Sequence, residues 1–326
     1  DIMLWNFYCS NGMGKLSSPW VAKPVEMLQQ EAAVTLAFGG NVQIYESPYG
    51  LRNGQLVPWR QRRMGEVGRF VKARRSLCQD TSTFPQIAVL HSEHDARHKA
   101  GPNLMWGINP VGVRGAVFSL LERHYGVDIL DEWALLPRLK EFPELVATEQ
   151  DFMSRSMVTA LNDYVRRGGR LLVTGSAAYD RFGGDFLGVK SMKILEKAIC
   201  HVPSDNGSAP VYSDTWRLLR TTRAKGLGRL GRTPLLDERL LPHPAATVCR
   251  GGRGVVAYIP ADIFRNFDHN RYPIVRDFIG RVARAVAGRL DIEVGAPTAI
   301  DVVLRRKETA RIIHFINRSS GIPNQP

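Results

Sequence analysis

The sequence lacks the features that mark a membrane protein, a disulfide-stabilised secreted domain or a nucleotide-binding enzyme. None of the apolar stretches in its 326 residues approaches the length of a membrane span, so we expect neither a transmembrane helix nor an intact signal peptide. Its four cysteines are widely scattered, which indicates free thiols and a reducing, cytoplasmic compartment. No glycine-rich phosphate loop follows a predicted strand, and no cofactor is predicted.

Positive charge is in excess but carries no recognition motif. Lys and Arg outnumber Asp and Glu by 44 to 31, which gives a formal net charge of +13. The basic clusters contain no interleaved aromatic residues and match no nucleic-acid motif. They lie at residues 60–63, 72–75, 220–232 and 305–307. We interpret them as solvated faces, and no nucleic-acid partner is predicted.

The central part of the chain has the pattern of a parallel α/β sheet. Three short apolar runs, at residues 87–90, 145–147 and 171–174, are joined by helical patterns. A continuous apolar run of strand length is typical of a strand that is covered on both faces. Open sheets of this class bind ligands beyond the carboxyl ends of their strands.

Further elements of the same sheet follow from the flanking patterns. We expect strands at residues 127–130 and 255–259, and helices at 114–124, 154–167 and 271–290. Ser154 stands in the N-cap position of its helix, and two glycines follow that helix. The polar region between residues 177 and 244 is rich in arginine and glycine, which favours loops and short edge strands.

The two ends of the chain carry separate patterns. Near the N-terminus, strands at residues 2–8 and 41–46 alternate with helices at 25–37 and 62–77. Two βα repeats cannot stand alone because a parallel pair must be buried on both sides, so we interpret them as the closing repeats of a barrel. The apolar start without Met also favours a piece of a longer protein. Residues 301–304 and 312–316 predict a hairpin that opens a small β domain.

Several motifs, in their order along the chain, resemble the second half of large bacterial glycoside hydrolases related to the β-galactosidase and α-L-fucosidase-like groups. They are Trp5-Asn-Phe-Tyr, Gly39-Gly-Asn-Val-Gln-Ile-Tyr-Glu-Ser-Pro, Ala88-Val-Leu-His-Ser, Asp131-Glu-Trp-Ala-Leu-Leu-Pro and a run from Asp163 to Gly175. The resemblance covers nearly the whole chain. Its motifs are loose, however, and do not fix the sugar.

The resemblance implies an α/β protein in three parts. Residues 1–82 would be the last two βα repeats of a (β/α)8 barrel, and residues 83–297 a flavodoxin- or glutamine-amidotransferase-like β-galactosidase trimerisation domain. Residues 298–326 would start a β-sandwich. The implied function is hydrolysis of O-glycosidic bonds in a carbohydrate substrate, by a homo-oligomer that the resemblance suggests is a trimer. The alternative is a non-catalytic assembly or carbohydrate-binding module.

Five residues of the barrel-like part are candidates for sugar contact, namely Trp5, Asn6, Tyr8, Tyr45 and Glu46. Aromatic faces stack on sugar rings and Asn binds hydroxyl groups, but barrel core is an equal interpretation for Trp5 and Tyr45. Glycoside hydrolysis needs two carboxyl groups, which in the resembled enzymes usually sit on earlier barrel strands. Glu46 is the only carboxylate here at the end of a barrel-type strand, and a structural role is favoured for it over a catalytic one.

A cluster of metal-ligand residue types follows the first central strand and comprises His91, Glu93, His94, Asp95 and His98. Because the cluster comes directly after a strand, we expect a solvated loop here and favour it over a metal site. Amidotransferase chemistry needs a Cys nucleophile on a strand-to-helix turn, which is absent. Ser176 could replace that Cys only beside a base.

Overall fold

The structure, a computed structural model, describes residues 2–5, 7–8, 21–45, 53–100, 110–205, 207–233, 240–288 and 290–319. The chain divides into two compact units, one of residues 1–84 with 296–326 and one of residues 85–295. The three-part division of the chain stays a prediction. Among the described residues, no helix is both long and apolar enough to cross a membrane.

The first unit begins with strand, helix, strand and helix in the predicted order. Strands β1 (Ile2–Trp5) and β4 (Val42–Tyr45) pair in parallel, and helix α1 (Val25–Ala37) lies between them in the chain. Helix α2 (Pro58–Cys78) packs against α1. A small core joins the four elements and contains the buried side chains of Leu4, Leu28, Ala32 and Val67. These two helices therefore supply part of the apolar cover that the parallel pair needs, since Leu4 is the only buried residue of β1.

The strand predicted over residues 2–8 is shorter in the structure. It ends at Trp5, and a separate strand β2 (Phe7–Tyr8) pairs antiparallel with β3 (Val21–Ala22). The backbone of this part thus changes partner between Trp5 and Phe7, from β4 to β3.

The hairpin predicted near the C-terminus is confirmed. Strands β15 (Ile300–Lys307) and β16 (Ala310–Asn317) pair antiparallel, and β5 (Ser82–Thr83) joins the edge of β15. The guanidinium of Arg305 fastens this edge by donating to the hydroxyl groups of Thr81 and Thr83. The same unit therefore includes the start and the end of the described chain.

The second unit is built on a nine-stranded sheet, whose parallel part confirms the predicted α/β pattern. The parallel strands are β6 (Ile87–Leu90), β7 (Val127–Leu130), β8 (Glu144–Ala147), β9 (Arg170–Thr174) and β14 (Gly254–Ile259). Their order in the sheet is β7-β6-β8-β9-β14. This doubly wound order has its switch point between β6 and β8, where a crevice forms at the carboxyl ends of the strands.

Helices cover both faces of the parallel strands. The longer ones are α4 (Val111–Leu121), α6 (Arg155–Arg166), α9 (Ile263–Asn270) and α10 (Pro273–Ala287). The short ones are α3 (Glu93–Lys99), α5 (Glu132–Leu135), α7 (Ala178–Phe182) and α8 (Gly184–Leu187), and a 3-10 segment spans Leu136–Glu141. Ile87 and Val89 belong to the core on one face of the sheet, whereas Ala88 and Leu90 belong to the core on the other.

The prediction of loops and short edge strands between residues 177 and 244 is wrong. Most of this region forms long strands, and the sheet continues antiparallel through β10 (Val189–Ser204), β11 (Gly207–Thr221), β12 (Lys225–Gly231) and β13 (Leu240–Gly251). Buried and exposed residues alternate from Ala209 to Asp214 of β11, and Trp216 is fully buried. An antiparallel sheet tolerates polar residues on its uncovered face, so the polar composition did not exclude strands.

Helices α4 and α9 approach each other so closely that a side chain does not fit between them. A Cβ atom built on Gly115 of α4 would lie 1.9 Å from the carbonyl oxygen of Phe264 in α9. Glycine is therefore needed at this position for packing, since the helix itself would be more stable with alanine.

We predict that Gly115→Ala destabilises the second unit by about 1–3 kcal/mol or more, because the methyl group forces the two helices apart. The matched control is Gly68→Ala in helix α2, where an added Cβ meets no atom within 4 Å. There the substitution is expected to stabilise the helix by roughly 0.5–1 kcal/mol. Urea denaturation measures the stability of both variants. Equal midpoints would show that the close approach of α4 and α9 does not require glycine at position 115.

Candidate functional site

The carboxyl ends of β1 and β4 bring two of the predicted sugar-contact residues together. Trp5 and Tyr45 are register partners, and their ring centroids lie 6.0 Å apart with an angle of 47° between the planes. The rings are 44% and 42% exposed, so neither is buried core within this chain. The pair presents an aromatic surface of the kind that stacks on apolar faces of ligands.

The other three predicted sugar-contact residues are Asn6, Tyr8 and Glu46. Asn6 and Glu46 lie outside the described residues. Tyr8 belongs to β2, where its register partner is Val21. Sugar contact by these residues therefore stays a prediction.

The segment that carries the predicted histidine cluster is helical, which corrects the expectation of a loop. The hydroxyl group of Ser92 accepts a hydrogen bond from the backbone N–H of Asp95 at 3.2 Å and caps α3. This cap starts a helix directly after β6. The His94 and His98 rings lie 4.5 Å apart, and the His98 ring stacks on Phe152 at 4.4 Å.

No metal centre is found in the part of the chain that the structure describes. There, no three side chains of the His, Cys, Asp and Glu types are grouped so that they could hold a metal ion. His98 Nδ1 is 2.8 Å from the carbonyl oxygen of His94, one helical turn earlier. His91 lies at a different place, before α3, in the crevice described below.

Ser176 takes part in a structural network. Its carbonyl oxygen accepts hydrogen bonds from Arg217 Nε at 3.1 Å and from the Tyr258 hydroxyl at 3.3 Å. Arg217 also donates to the carboxylate of Asp180 at 2.6 Å. The side chain of Ser176 is 95% buried, and these contacts hold the turn after β9 in place without supplying a base.

A second candidate site lies at the switch point of the sheet in the second unit. It is a crevice of about 210 Å3, here called the switch-point crevice, whose lining includes His91, Lys99, Gly112, Thr148, Glu149 and Arg265. These residues come from the ends of β6 and β8 and from helices α3, α4 and α9. The crevice is thus formed where doubly wound sheets place their ligands.

Hydrogen bonds from the ends of β6 and β8 fix one wall of the switch-point crevice. Gln150 donates through Nε2 to the carbonyl oxygen of Leu90 and accepts from the backbone N–H of Ser92 at 2.9 Å. Asp95 accepts the backbone N–H groups of Asp151 and Phe152 at 2.8 and 3.0 Å. The loop after β8 is therefore held to the start of α3.

Glu149 is the buried acid of the crevice, with 7% of its surface exposed. Its Oε1 accepts the backbone N–H of Phe264, in the first turn of α9, at 2.7 Å. Its Oε2 and the Thr174 hydroxyl are both buried, and the side chain of Thr174 hydrogen-bonds with this carboxyl group. A Cβ atom built on Gly112, in the first turn of α4, would lie 2.7 Å from this Oε2.

Burial controls the protonation of Glu149. Removal from water and, to a lesser extent, the negative charge of Asp262 together raise the pKa of its carboxyl group to about 8. Hydrogen bonds from Phe264 and Thr174 oppose this shift only in part. Burial also raises the pKa of Asp262, against the opposing charge of Arg265. At neutral pH this carboxyl group is therefore protonated, and a protonated carboxyl group can donate a hydrogen bond.

Sequence reasoning missed Glu149 because it searched this edge for a Cys or Ser nucleophile. The signal was present as an acidic residue in the loop Thr148-Glu-Gln, directly after a buried strand. A strongly perturbed titrating group in a crevice is a general mark of a functional site. Its burial, however, depends on α4 and α9, which are distant in the sequence.

Comparison with solved structures finds glycosidases that share this fold. An α-L-fucosidase, isoenzyme 2 from Paenibacillus thiaminolyticus, is 18% identical with a TM-score of 0.73, and the match covers 96% of this chain and 49% of that protein. A β-galactosidase from Rahnella sp. R3 is 15% identical with a TM-score of 0.67 and coverages of 91% and 47%. For a β-galactosidase from Bacillus circulans sp. alkalophilus the values are 13%, 0.66, 97% and 49%.

At these identities the similarity shows the fold alone, and it confirms a glycoside-hydrolase-like α/β fold. The chain spans about half the length of the structures it matches. No protein-family model matches the chain. No curated protein matches it in sequence either.

The raised pKa of Glu149 predicts a pH-dependent contribution to stability. The folded protein holds this proton up to about pH 8, whereas an unfolded chain releases it near 4.5. The contribution is therefore fully present below pH 4.5 and is lost as the pH rises towards 8, by about 1.4 kcal/mol per pH unit at most. Urea denaturation of the wild type and of Glu149→Gln across this range measures it. A difference between the two that does not change with pH would contradict the buried proton.

Proposed function

We propose that this chain is part of a glycoside hydrolase that acts on O-glycosidic bonds of a galactosidase- or fucosidase-like substrate. In this proposal the first unit supplies one rim of the sugar site, and the second unit is an oligomerisation domain. The observation that carries it is the fold match along 96% of the chain to a protein described as an α-L-fucosidase. The buried free thiols of Cys78, Cys200 and Cys249 agree with a cytoplasmic location.

Exposed apolar side chains on the β1–β4 pair support the barrel part of the proposal. Ile2 and Met3 are 54% and 49% exposed, and the rings of Trp5 and Tyr45 are exposed to a similar degree. Strands of a parallel sheet are normally covered on both faces. Further barrel strands would cover these side chains and would leave the carboxyl ends of β1 and β4 at the face where barrel enzymes bind substrate.

The chemistry of glycoside hydrolysis limits what this chain does alone. The reaction needs two carboxyl groups that flank the bond, about 5 to 10 Å apart. At the barrel-like rim the sequence offers Glu46 only, with Trp5, Asn6, Tyr8 and Tyr45 as sugar contacts. We therefore assign the acid and the nucleophile to barrel strands outside this chain.

We predict that the purified chain has no glycosidase activity, because one carboxylate does not perform this reaction. The measurement is turnover of a panel of nitrophenyl glycosides. Turnover by the chain that is abolished in Glu46→Gln would overturn the assignment and would place the chemistry within this chain.

A second candidate function is a purely structural assembly module, and the outer face of β10 and β11 favours it. Ile199 and Tyr212 are register partners on that face and are 58% and 45% exposed. Met192 and Ile194 are also half-exposed on β10. Apolar side chains that cluster on an uncovered sheet face mark a protein contact more often than single exposed ones do.

We predict that the chain forms a closed homo-oligomer, with a trimer as the expected state. Light scattering at micromolar concentration measures its mass. Ile199→Lys is expected to lower that mass, because it places a charge in the contact. Thr215→Lys, at an exposed polar position of β11, is the control and should not. A monomeric mass for the unmodified chain would refute the assembly role.

A further inference from the structure

A cavity of about 910 Å3 lies at the amino ends of β8, β9 and β14, at the edge of the sheet opposite the switch-point crevice. We call it the amino-edge cavity. Its lining comes from the 3-10 segment before β8, the end of α6, the start of β9 and the turn between β13 and β14. Doubly wound sheets place their ligands at the other edge, so the fold itself assigns no role to this cavity.

Hydrogen bonds and close packing fix the walls of the amino-edge cavity. The Tyr164 hydroxyl donates to the carbonyl oxygen of Phe142 at 2.9 Å and joins α6 to the segment before β8. A Cβ atom built on Gly169 would lie 2.4 Å from the Tyr164 ring, so glycine lets this ring pack against the loop after α6. The backbone N–H of Arg253 donates to the carbonyl oxygen of Arg166 at 3.1 Å. The cavity is therefore preformed, as ligand sites usually are.

Cationic side chains dominate the lining of the amino-edge cavity. Four lining residues are basic and one is acidic, which leaves a net charge of +3; they are Lys140, Arg167, Arg170 and Arg253 against Asp163. Asp163 itself pairs with Arg166, outside the lining, at 3.4 Å. Among the residues that the structure describes, Lys140, Arg167 and Arg253 form no ion pair with a carboxylate. Neighbouring side chains therefore do not neutralise the positive charge of this cavity.

Two other groups near the amino-edge cavity do not remove this excess either. Helices α6 and α10 end at this edge, and each helix C-terminus is equivalent to about half a negative charge, so together they offset about one of the positive charges. Glu144, at the start of β8, is fully buried, and burial raises the pKa of its carboxyl group well above the usual range against the charge of Arg170. This group is therefore neutral, and an excess of about two positive charges remains.

The size and composition of the lining indicate a small organic ligand. The volume of about 910 Å3 lies within the range of roughly 300–1,000 Å3 that is usual for small-molecule sites. Leu136, Pro137, Leu139 and Pro143 supply apolar contact area. Arginine side chains bind carboxylate and phosphate groups through paired hydrogen bonds. A molecule that combines an apolar skeleton with several anionic groups fits this lining.

We propose that the amino-edge cavity binds a small organic polyanion, a molecule with two or more phosphate or carboxylate groups, through the side chains of Lys140, Arg167 and Arg253. The two arginines start from the same wall, since the Cβ of Arg253 is 3.9 Å from a Cβ built on Gly168. This inference does not depend on the glycosidase proposal, because it uses residues of the second unit alone.

The experiment is isothermal titration calorimetry of the full chain with two probes, inositol hexakisphosphate and citrate. We expect saturable binding of one ligand per chain, and weaker binding when NaCl is raised from about 50 to about 200 mM, because the contacts are between partly exposed charges. The double variant of Arg167→Gln with Arg253→Gln is expected to lower the affinity by about tenfold or more, since it removes two charged donors.

Two matched comparisons separate a site from the attraction of anions to a basic chain. Arg220→Gln with Arg250→Gln removes the same charge from exposed positions of β11 and β13 outside the lining, and it should bind as the wild type does. Ala160 lines the cavity from α6. Ala160→Glu places a negative charge there and should bind about tenfold more weakly or worse than Ala160→Gln, which has a side chain of the same size.

Each result supports the site or removes it. The proposal is overturned if neither probe binds, if the Arg167 and Arg253 variant binds as the wild type does, if the Arg220 and Arg250 variant loses as much affinity, or if Ala160→Glu and Ala160→Gln bind equally. The ratio of the affinities for the two probes shows whether the site prefers phosphate or carboxylate. Should the Ala160 variants fail to fold, the arginine variants decide, because Arg167 and Arg253 are exposed.

Discussion

The second unit depends on the requirement that a parallel strand be covered on both faces. All four residues of β6 and all four of β8 are buried, and successive side chains of β6 enter two different cores. Each buried aliphatic side chain contributes about 1.5–3 kcal/mol relative to exposure. This gain is available only if the chain returns over the sheet after each strand. The crossing segments therefore gather their polar loops at one edge of the sheet, and the switch-point crevice lies at that edge.

The helices that cover this sheet also explain how an acidic side chain, Glu149, is accommodated in the core. Gly115 lets α4 and α9 pack in contact, and this contact places the first turns of both helices around Glu149. Two helix N-termini favour its ionised form by about 0.3–1 kcal/mol each. Burial acts in the opposite direction and raises the pKa from 4.5 to about 8, which corresponds to about 1.4 kcal/mol for each unit. Desolvation is the larger effect, so the acid keeps its proton at neutral pH and offers a donor instead of a charge.

Local patterns in the sequence predicted the parallel strands and most helices, because burial on two faces leaves continuous apolar runs such as Ile87–Leu90. These patterns failed where contacts between segments that are distant in the sequence determine the structure. The polar β10 was not recognised as a strand because its stability comes from β11 and from one covered face. The helix at His94 and His98 was missed because the cap of Ser92 was not considered. For Glu149, the residue type was visible in the sequence but its burial was not, since this depends on Phe264 and Gly112.

The central claim is that the β1–β4 pair belongs to the sugar-binding barrel of a glycosidase. Its most direct test is the native gene sequence that precedes the codon for Asp1. The account predicts six further βα repeats, with carboxylates at the ends of two of the strands, close enough in a barrel to flank a glycosidic bond. A gene in which no such repeats precede Asp1 would contradict it.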